Sequence, residues 1–313
     1  MQTYLDLLKD IIDNGESHND RTGVGTLSVF GRQWRHRMTD GFPLLTTKYV
    51  APGWVWDELQ WFLSGSSCEE DLRTISITNG HRPCDIWEEW ATEEQCGKFQ
   101  RNAGDMGLIY GQLWRGFPVG YSSADPRAKI CYMESVDQIQ QLCDDLIHNP
   151  ESRRLIVSGW HPYYQKRVTL PPCHTLFQLK VHPKVSYKRD SASHFETVQG
   201  EGLSLHLYAR SIDAFLGLPF NIASYSFLLT LLAHATSRIA WDLIISFGDL
   251  HIYNNHREQV NVQLKRTPRP LPYLIWHESL RGRGFDAVIQ AKGKDWRLYN
   301  YDHDLPIKAP VAV

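Results

Sequence analysis

The apolar positions change spacing along the chain, and each change predicts an element. Leu5, Leu8, Ile11 and Ile12 recur at helical spacing, and Gly15 follows as a stop. Asp20 to Gly25 is turn-rich, and Thr26 to Met38 then reads as strand. Trp54 to Leu63 is a very aromatic helix stopped by Ser64-Gly65, and it carries Asp57 and Glu58. An acid on so apolar a helix is costly unless it faces a polar site or a partner. Residues 92–105 read as a surface loop. Ser135 and Gln138 predict a capping box. It opens a helix with Val136, Ile139, Leu142 and Leu146 on one face, closed by Asn149-Pro150. Strands are predicted at 154–160, 175–182, 203–210 and 242–249, with Leu203, Leu205 and Leu207 sharing a face. The polar segment 183–201 reads as a hairpin extension, and 266–272 as an extended linker. The pattern is α+β, with a mainly β core and one long buried helix.

Composition narrows the classes. With 42% hydrophobic and 22% charged residues among 313, a substantial core is expected. A net charge of −2 argues against bulk binding to nucleic acid, while leaving room for a local basic pocket that takes one phosphate. Six cysteines, at 68, 84, 96, 131, 143 and 173, form no C-x-x-C pair. They predict reduced thiols and a cytoplasmic protein. No H-E-x-x-H or other metal spacing occurs, so no metal is expected. The N-terminus lacks a signal-peptide pattern. The most apolar stretch, 220–235, is interrupted by Asn221, Ser224, Ser226, Thr230 and His234. It reads as too short and polar to span a bilayer, and so as a core helix.

Candidate chemistry centres on Pro171-Pro172-Cys173-His174. The prolines stiffen the approach to the thiol. Arg153-Arg154 upstream and Arg210 downstream predict that positive charge surrounds it, which would let it ionise near neutral pH. The alternative is a buried, inert cysteine.

Long motifs then occur in one order: Asp20-Arg21-Thr22-Gly23, Glu58 to Leu63, Ser152 to Ser158, Leu170 to His174, Arg210 to Gly217, Pro219 to Tyr225, Gly248 to Tyr253 and Ala309 to Val313. Together they make the chain resemble the folate-dependent, cysteine-using thymidylate synthase family over nearly its whole length. The resemblance implies a single catalytic domain over 1–313, with insertions at about 92–105 and 183–201. It also implies a three-layer α/β sandwich on a mixed, twisted sheet with a long buried central helix, and a homodimer. The implied substrates are dUMP and a reduced folate, 5,10-methylenetetrahydrofolate.

Residue by residue, the resemblance makes Cys173 the nucleophile that adds to uracil C6. Arg210 would lower its pKa. Arg21, Arg153, Arg154, Arg210 and Ser211 match phosphate contacts, the pair 153–154 reaching into the neighbouring subunit's site. Asn221 matches the reader of the pyrimidine edge, its amide offering both a donor and an acceptor. His251 and Tyr253 match contacts to the ribose hydroxyl. Glu58 matches the proton relay, in aromatic surroundings that raise a carboxyl pKa. Tyr110 and His174 match members of a proton network. Asp213 matches the carboxylate that bonds the pterin, and Ile86, Trp87, Leu216 and Phe220 match its apolar walls. Val311, Ala312 and Val313 match a tail that closes over the ligands. Taken alone, Arg153-Arg154 also reads as a solvated pair, Asn221 as a helix cap, and Trp87 with Trp90 as plain core.

The chain departs from the common motifs at Tyr49, Ala51, Gly53, Gly159, His161 and Ala209. The first three lie where basic or polar residues often meet the folate tail, and Lys48 alone remains there. Two outcomes of one intermediate stay open. Hydride transfer gives dTMP and dihydrofolate, whereas water addition gives 5-hydroxymethyl-dUMP and tetrahydrofolate. The intact Trp87 and terminal tail favour the former. A binding-only relic of the family is the non-enzymatic alternative.

Overall fold

A computed structural model describes residues 1–19, 23–83, 85–121, 132–191 and 194–311. Among the described residues the helices are α1 (Gln2–Asn14), α2 (Pro52–Ser64), α3 (Glu69–Thr78), α4 (Glu93–Gly97), α5 (Tyr110–Arg115), α6 (Gln138–His148), α7 (Gly217–Ala235), α8 (Arg257–Leu264) and α9 (Phe285–Gln290). The strands are β1 (Glu16–His18), β2 (Thr26–Arg37), β3 (Phe117–Tyr121), β4 (Tyr132–Val136), β5 (Ile156–Ser158), β6 (His174–Ser191), β7 (His194–Asp213), β8 (Ile239–Tyr253), β9 (Tyr273–Trp276) and β10 (Trp296–Tyr299).

Six strands form one sheet in the order β1-β2-β8-β7-β6-β5. Its pairs are antiparallel except β7 with β8, which run parallel and are joined through α7, as a parallel pair requires. The sheet is therefore mixed, as expected. Leu203, Leu205 and Leu207 of β7 and Leu243, Ile245 and Phe247 of β8 are buried beneath α7. Beyond α7 lies α2 with α3 and α9, so three layers stack: sheet, central helix, outer helices. Trp56 of α2 packs against Phe227 of α7 and Trp276 of β9, with ring centroids 5.7 and 5.3 Å away.

Helix α7 spans 19 residues and is apolar enough by length and composition to cross a membrane, which corrects the expectation drawn from its interruptions. Two of its polar side chains bond within the helix. Ser226 Oγ donates to the Ile222 carbonyl at 2.7 Å, and Thr230 Oγ1 to that of Ser226 at 2.8 Å. A helix apolar all round and mostly buried in the protein is a core helix.

One irregularity of the sheet positions the site. On β8 the core-facing residues are odd-numbered up to Phe247 and then even-numbered, Leu250 and Ile252. On β7 the same change falls between Ala209 and Ile212, and on β2 between Val29 and Trp34. The registers put Gly31, Gly248 and Arg210 in one row across the three strands. Gly31 sits at φ +71°, and a Cβ on Gly248 would lie 2.6 Å from the Arg210 carbonyl oxygen. Glycine lets the row kink. The kink turns Ser211, Asp213, His251 and Tyr253, which straight strands would point inward, onto the other face.

Several local expectations change. Residues 92–105 are not a plain loop. Thr92 Oγ1 accepts from Gln95 N at 3.2 Å to cap α4, and Cys96 is buried. No capping box forms at Ser135, because Asp137 caps α6 through Gln140 N at 3.0 Å. Gln138 instead donates to the carbonyls of Leu113 and Ser158, at 2.7 and 2.9 Å. The strand expected at 154–160 shrinks to β5, since Ser158 N bonds Gln138 Oε1 at 2.9 Å. The strands predicted at 175–182, 203–210 and 242–249 run longer, as β6, β7 and β8, while β2 ends at Arg37, one residue before the predicted Met38. The extension 183–201 continues β6 and β7 as one ladder, with a register shift between His182 and Val185.

Candidate active site

The kinked ends of β7 and β8, the start of β6, and helices α2, α5 and α7 enclose a cleft of about 240 Å³. Cys173, His174, Tyr110, Glu58, Trp87, Ser211, Asp213, Asn221, His251 and Tyr253 line it. Residues more than 190 positions apart in sequence thus meet around one thiol.

Cys173 ends the proline-stiffened approach, and its loop is tied down from two directions. Its N–H donates to Tyr110 Oη at 2.8 Å, and its carbonyl accepts from Arg210 N at 2.9 Å. The Arg210 guanidinium donates to the carbonyls of Pro172 and Pro171, at 2.9 and 2.8 Å. Arg210 is therefore a brace of the cysteine loop as well as its neighbouring charge. The thiol is half-buried by exposed area but closely ringed by protein atoms. That burial holds its pKa above the ordinary thiol value, although Arg210 and the Tyr110 hydroxyl both pull it down. The expectation of a thiol lowered by arginines is corrected here: desolvation outweighs the one guanidinium beside it.

Tyr110 opens α5 at φ +24°, a conformation an L residue rarely adopts and whose strain is of order ~1–3 kcal/mol. Its ring stacks on Phe62 at 4.7 Å. Burial raises the phenol well above its usual range, so it stays protonated. Its oxygen already accepts from Cys173 N, which leaves its O–H free to donate towards the sulfur. His174 lies edge-on to Tyr110 and Tyr225. Burial pushes its pKa down to about 4, against a raising contribution from Asn221, so the ring is neutral at pH 7.

Glu58 behaves as its aromatic surroundings predict. Burial pushes its carboxyl up to about 7, opposed by a hydrogen bond from Trp87 Nε1 at 2.8 Å. The group is poised to give and take a proton near neutral pH. Trp87 is itself buried, edge-on to Trp61 and Tyr110. That is more than plain core, because its indole N–H serves a carboxylate inside the cleft.

Asn221 lies within α7, whose N-cap is Leu216, so it is not a cap. His251 and Tyr253 share a face, edge-on at 5.1 Å. His251 Nδ1 bonds Asp249 at 2.6 Å, and Asp249 also accepts from Ser28 Oγ at 2.8 Å. This chain fixes the ring and leaves Nε2 to meet another partner. Asp213 accepts from Phe215 N at 2.9 Å, and His256 Nδ1 lies 3.9 Å away.

Leu216 and Phe220 are half-buried, and Ile86 is 37% exposed. Val311 is 55% exposed, and the tail is held where Pro310 O accepts from His256 Nε2 at 2.7 Å. Arg153 and Arg154 are exposed and do not line this cleft. Arg21, Ala312 and Val313 lie outside the described residues.

Sequence reasoning missed His256 and the state of Lys48. The Lys48 ammonium is buried, donates to the Phe215 carbonyl, and lies 3.7 Å from the centroid of the Phe215 ring. Burial pushes it down to about 7, with Asp213 opposing. Lys48 is thus turned inward, with its ammonium at the Phe215 carbonyl rather than in solvent. No local pattern marked it, because the orientation of a lysine is set by what packs around it.

The family model of thymidylate synthase matches residues 2–313. The chain belongs to that family, whose chemistry is one-carbon transfer to dUMP with a reduced folate as the donor.

Proposed function

We propose, with that family as premise, that the chain is one catalytic unit that methylates dUMP at C5. The one-carbon unit comes from 5,10-methylenetetrahydrofolate, and the products are dTMP and dihydrofolate. Cys173 adds to C6 of the pyrimidine through its thiolate. The electron pair of the C5–C6 double bond moves towards O4, which makes C5 nucleophilic. C5 bonds the one-carbon unit and loses its proton, and expulsion of Cys173 restores the ring. The folate supplies that carbon and then a hydride. Everything else falls to side chains of this protein.

Asn221 reads N3–H and O4, offering one acceptor and one donor. Glu58, half-ionised near pH 7, passes a proton at O4. Tyr110 donates to the sulfur and helps to carry off the C5 proton. Neutral His174 acts as a member of that network rather than as the base. His251 and Tyr253 hold the ribose hydroxyl. Arg210 and Ser211 take the phosphate together with Arg21. Asp213 offers the pterin a carboxylate, and Trp87, Ile86, Leu216 and Phe220 offer it apolar walls. That combination of one acid and flat apolar surface fits an aromatic, amide-bearing ring.

Arg153 and Arg154 complete the phosphate site only from a second copy, so the reading includes a homodimer. The sheet face turned away from α7 supports this, because it carries exposed Leu176 and Tyr208. That face also holds a cleft of about 600 Å³ with Arg153 at its edge. The described cysteines are free thiols, which supports a reducing, cytoplasmic setting.

One observation carries the choice of hydride over water. Trp87 is buried and bonded to Glu58 inside the cleft that holds Cys173, and on the proposed reading it excludes solvent there from the transferred carbon. The experiment has two parts. 5-Fluoro-dUMP with the folate should yield a covalent adduct on Cys173 by mass spectrometry. Turnover of dUMP should then release dihydrofolate, seen by absorbance. A nucleotide one oxygen heavier than dTMP, with no dihydrofolate, would establish the hydroxymethylase outcome instead. No adduct at all would leave a binding protein.

A further inference from the structure

Two adjacent acids on α2 bind the two ends of one segment. Glu58 takes the indole N–H of Trp87 at the segment's far end. Asp57, fully buried, takes its start. One carboxylate oxygen accepts from Asn79 Nδ2 at 2.7 Å, and the other from His81 Nδ1 at 2.8 Å. The neighbouring turns of α2 add to the grip. Gln60 Oε1 accepts from Asn79 Nδ2 at 3.0 Å, and Trp54 Nε1 donates to the Arg82 carbonyl at 2.9 Å. Positions 54, 57 and 60 lie on one helical face, so three successive contacts pin residues 79–82. Nothing in the proposed chemistry uses Asp57, Asn79 or His81.

A separate observation shows that the site is shaped for the imidazole. A Cβ built on Gly53 would meet His81 Nε2 at 2.5 Å, Cε1 at 2.7 Å and Cδ2 at 3.0 Å. The ring lies flat on the bare backbone of the first turn of α2. Gly53 is within a helix and has no positive φ, so the backbone conformation does not demand glycine. Glycine there weakens the helix, and the compensation is room for His81.

We infer that Asp57, Asn79 and His81 form a positioning clamp that sets Trp87 over the reacting carbon. The clamp touches no substrate. A buried carboxylate with two donors fixes Asn79 and His81, and Trp87 downstream places its indole on Glu58. Release of that end lets Trp87 sample positions off the cleft, so nucleophiles from solvent reach the exocyclic methylene. The inference rests on the proposed reading that Trp87 shields that carbon.

The test uses the full chain with dUMP labelled with tritium at C5, methylenetetrahydrofolate and added 2-mercaptoethanol. Tritium release counts carbon–carbon bond formation. The nucleotide thioether counts escape, because the thiol sulfur bonds the exocyclic carbon, its proton goes to solvent, and Cys173 leaves from C6. His81→Ala should release tritium within about twofold of wild type and divert at least about fivefold more product to the thioether. His81→Asn, whose amide N–H replaces Nδ1–H, should restore the wild-type partition. Gly53→Ala should act like His81→Ala and add nothing on top of it. Should His81→Ala fold poorly, Gly53→Ala and His81→Asn still give the partition. Wild-type partition in Gly53→Ala, or parallel loss of tritium release and product in every variant, overturns the clamp. A wild type that releases no tritium overturns the functional reading, and this role of the clamp with it.

Discussion

Glu58→Gln should make the protein more stable at pH 8 and leave it nearly unchanged at pH 4.5. The side chain keeps its shape, and its amide oxygen still accepts from Trp87 Nε1, so packing and hydrogen bonding are retained. Only the charge is removed. In the fold the Glu58 carboxyl titrates at about 7, whereas its ordinary value is 4.5. Between those values the unfolded chain has lost a proton that the folded chain keeps. Wild-type stability therefore falls as pH rises through this window, by about 1.4 kcal/mol per unit. Across two to three units the glutamine variant gains roughly 3 kcal/mol relative to wild type, all of it in place by about pH 8. Burial of His174 acts with the opposite sign. Its pKa falls from 6.5 to about 4, so it adds stability as pH rises through that range. His174 is common to both proteins and cancels in the difference. The assay is urea unfolding of both at pH 4.5 and 8, at equal protein concentration because an assembling protein's stability depends on it. The same variant should lose turnover, since an amide passes no proton. A stability difference that is equal at the two pH values would refute a raised carboxyl.

Other expectations are simpler. Cys173→Ala should keep dUMP affinity within a few-fold, measured by calorimetry, while turnover falls by several orders of magnitude and no 5-fluoro-dUMP adduct appears. Asn221→Asp should weaken the preference for uracil over cytosine, because a carboxyl replaces the amide donor. Complete rejection of dCMP with normal dUMP turnover would remove Asn221 as the base reader.

Much of the fold was legible because periodicity reports burial directly. The alternation of Leu203, Leu205 and Leu207 and the all-round apolar face of α7 are consequences of one sheet packed under one helix. The site was legible only through long motifs that mark positions rather than geometry. What escaped was whatever depends on distant neighbours. The kink row needs Gly31, Gly248 and Arg210 to meet from three strands. Gln138 was read as half of a capping box, yet it bonds the backbone of Leu113 and Ser158. Lys48 was placed only as the basic residue remaining near the folate tail, and its inward turn depends on Phe215 packing over it. The departure at Gly53 had no local reason, and the reason is the His81 ring.

The state of the thiol sharpens the mechanism. Charge arithmetic along the sequence suggested a thiolate at rest, but burial prevails and the resting group is the thiol. An ordinary thiol of pKa about 8.5 is roughly a tenth ionised at pH 7.5, and each further unit cuts that tenfold. On the proposed function, a sulfur kept protonated is protected from stray electrophiles, and the nucleophile appears when substrate binding helps to remove the proton. Alkylation of Cys173 by iodoacetamide in the ligand-free protein should then follow an apparent pKa above 8.5. Arg210→Gln removes the charge that opposes burial, so that pKa should rise further and the rate at pH 7.5 should fall. The amide cannot brace both proline carbonyls, so the substitution also loosens the loop, and loosening alone would speed alkylation. The two causes therefore predict opposite changes in rate. A ligand-free pKa below 7 would overturn the buried, protonated thiol, and faster alkylation of the variant with an unmoved pKa would show that the arginine acts on the loop alone.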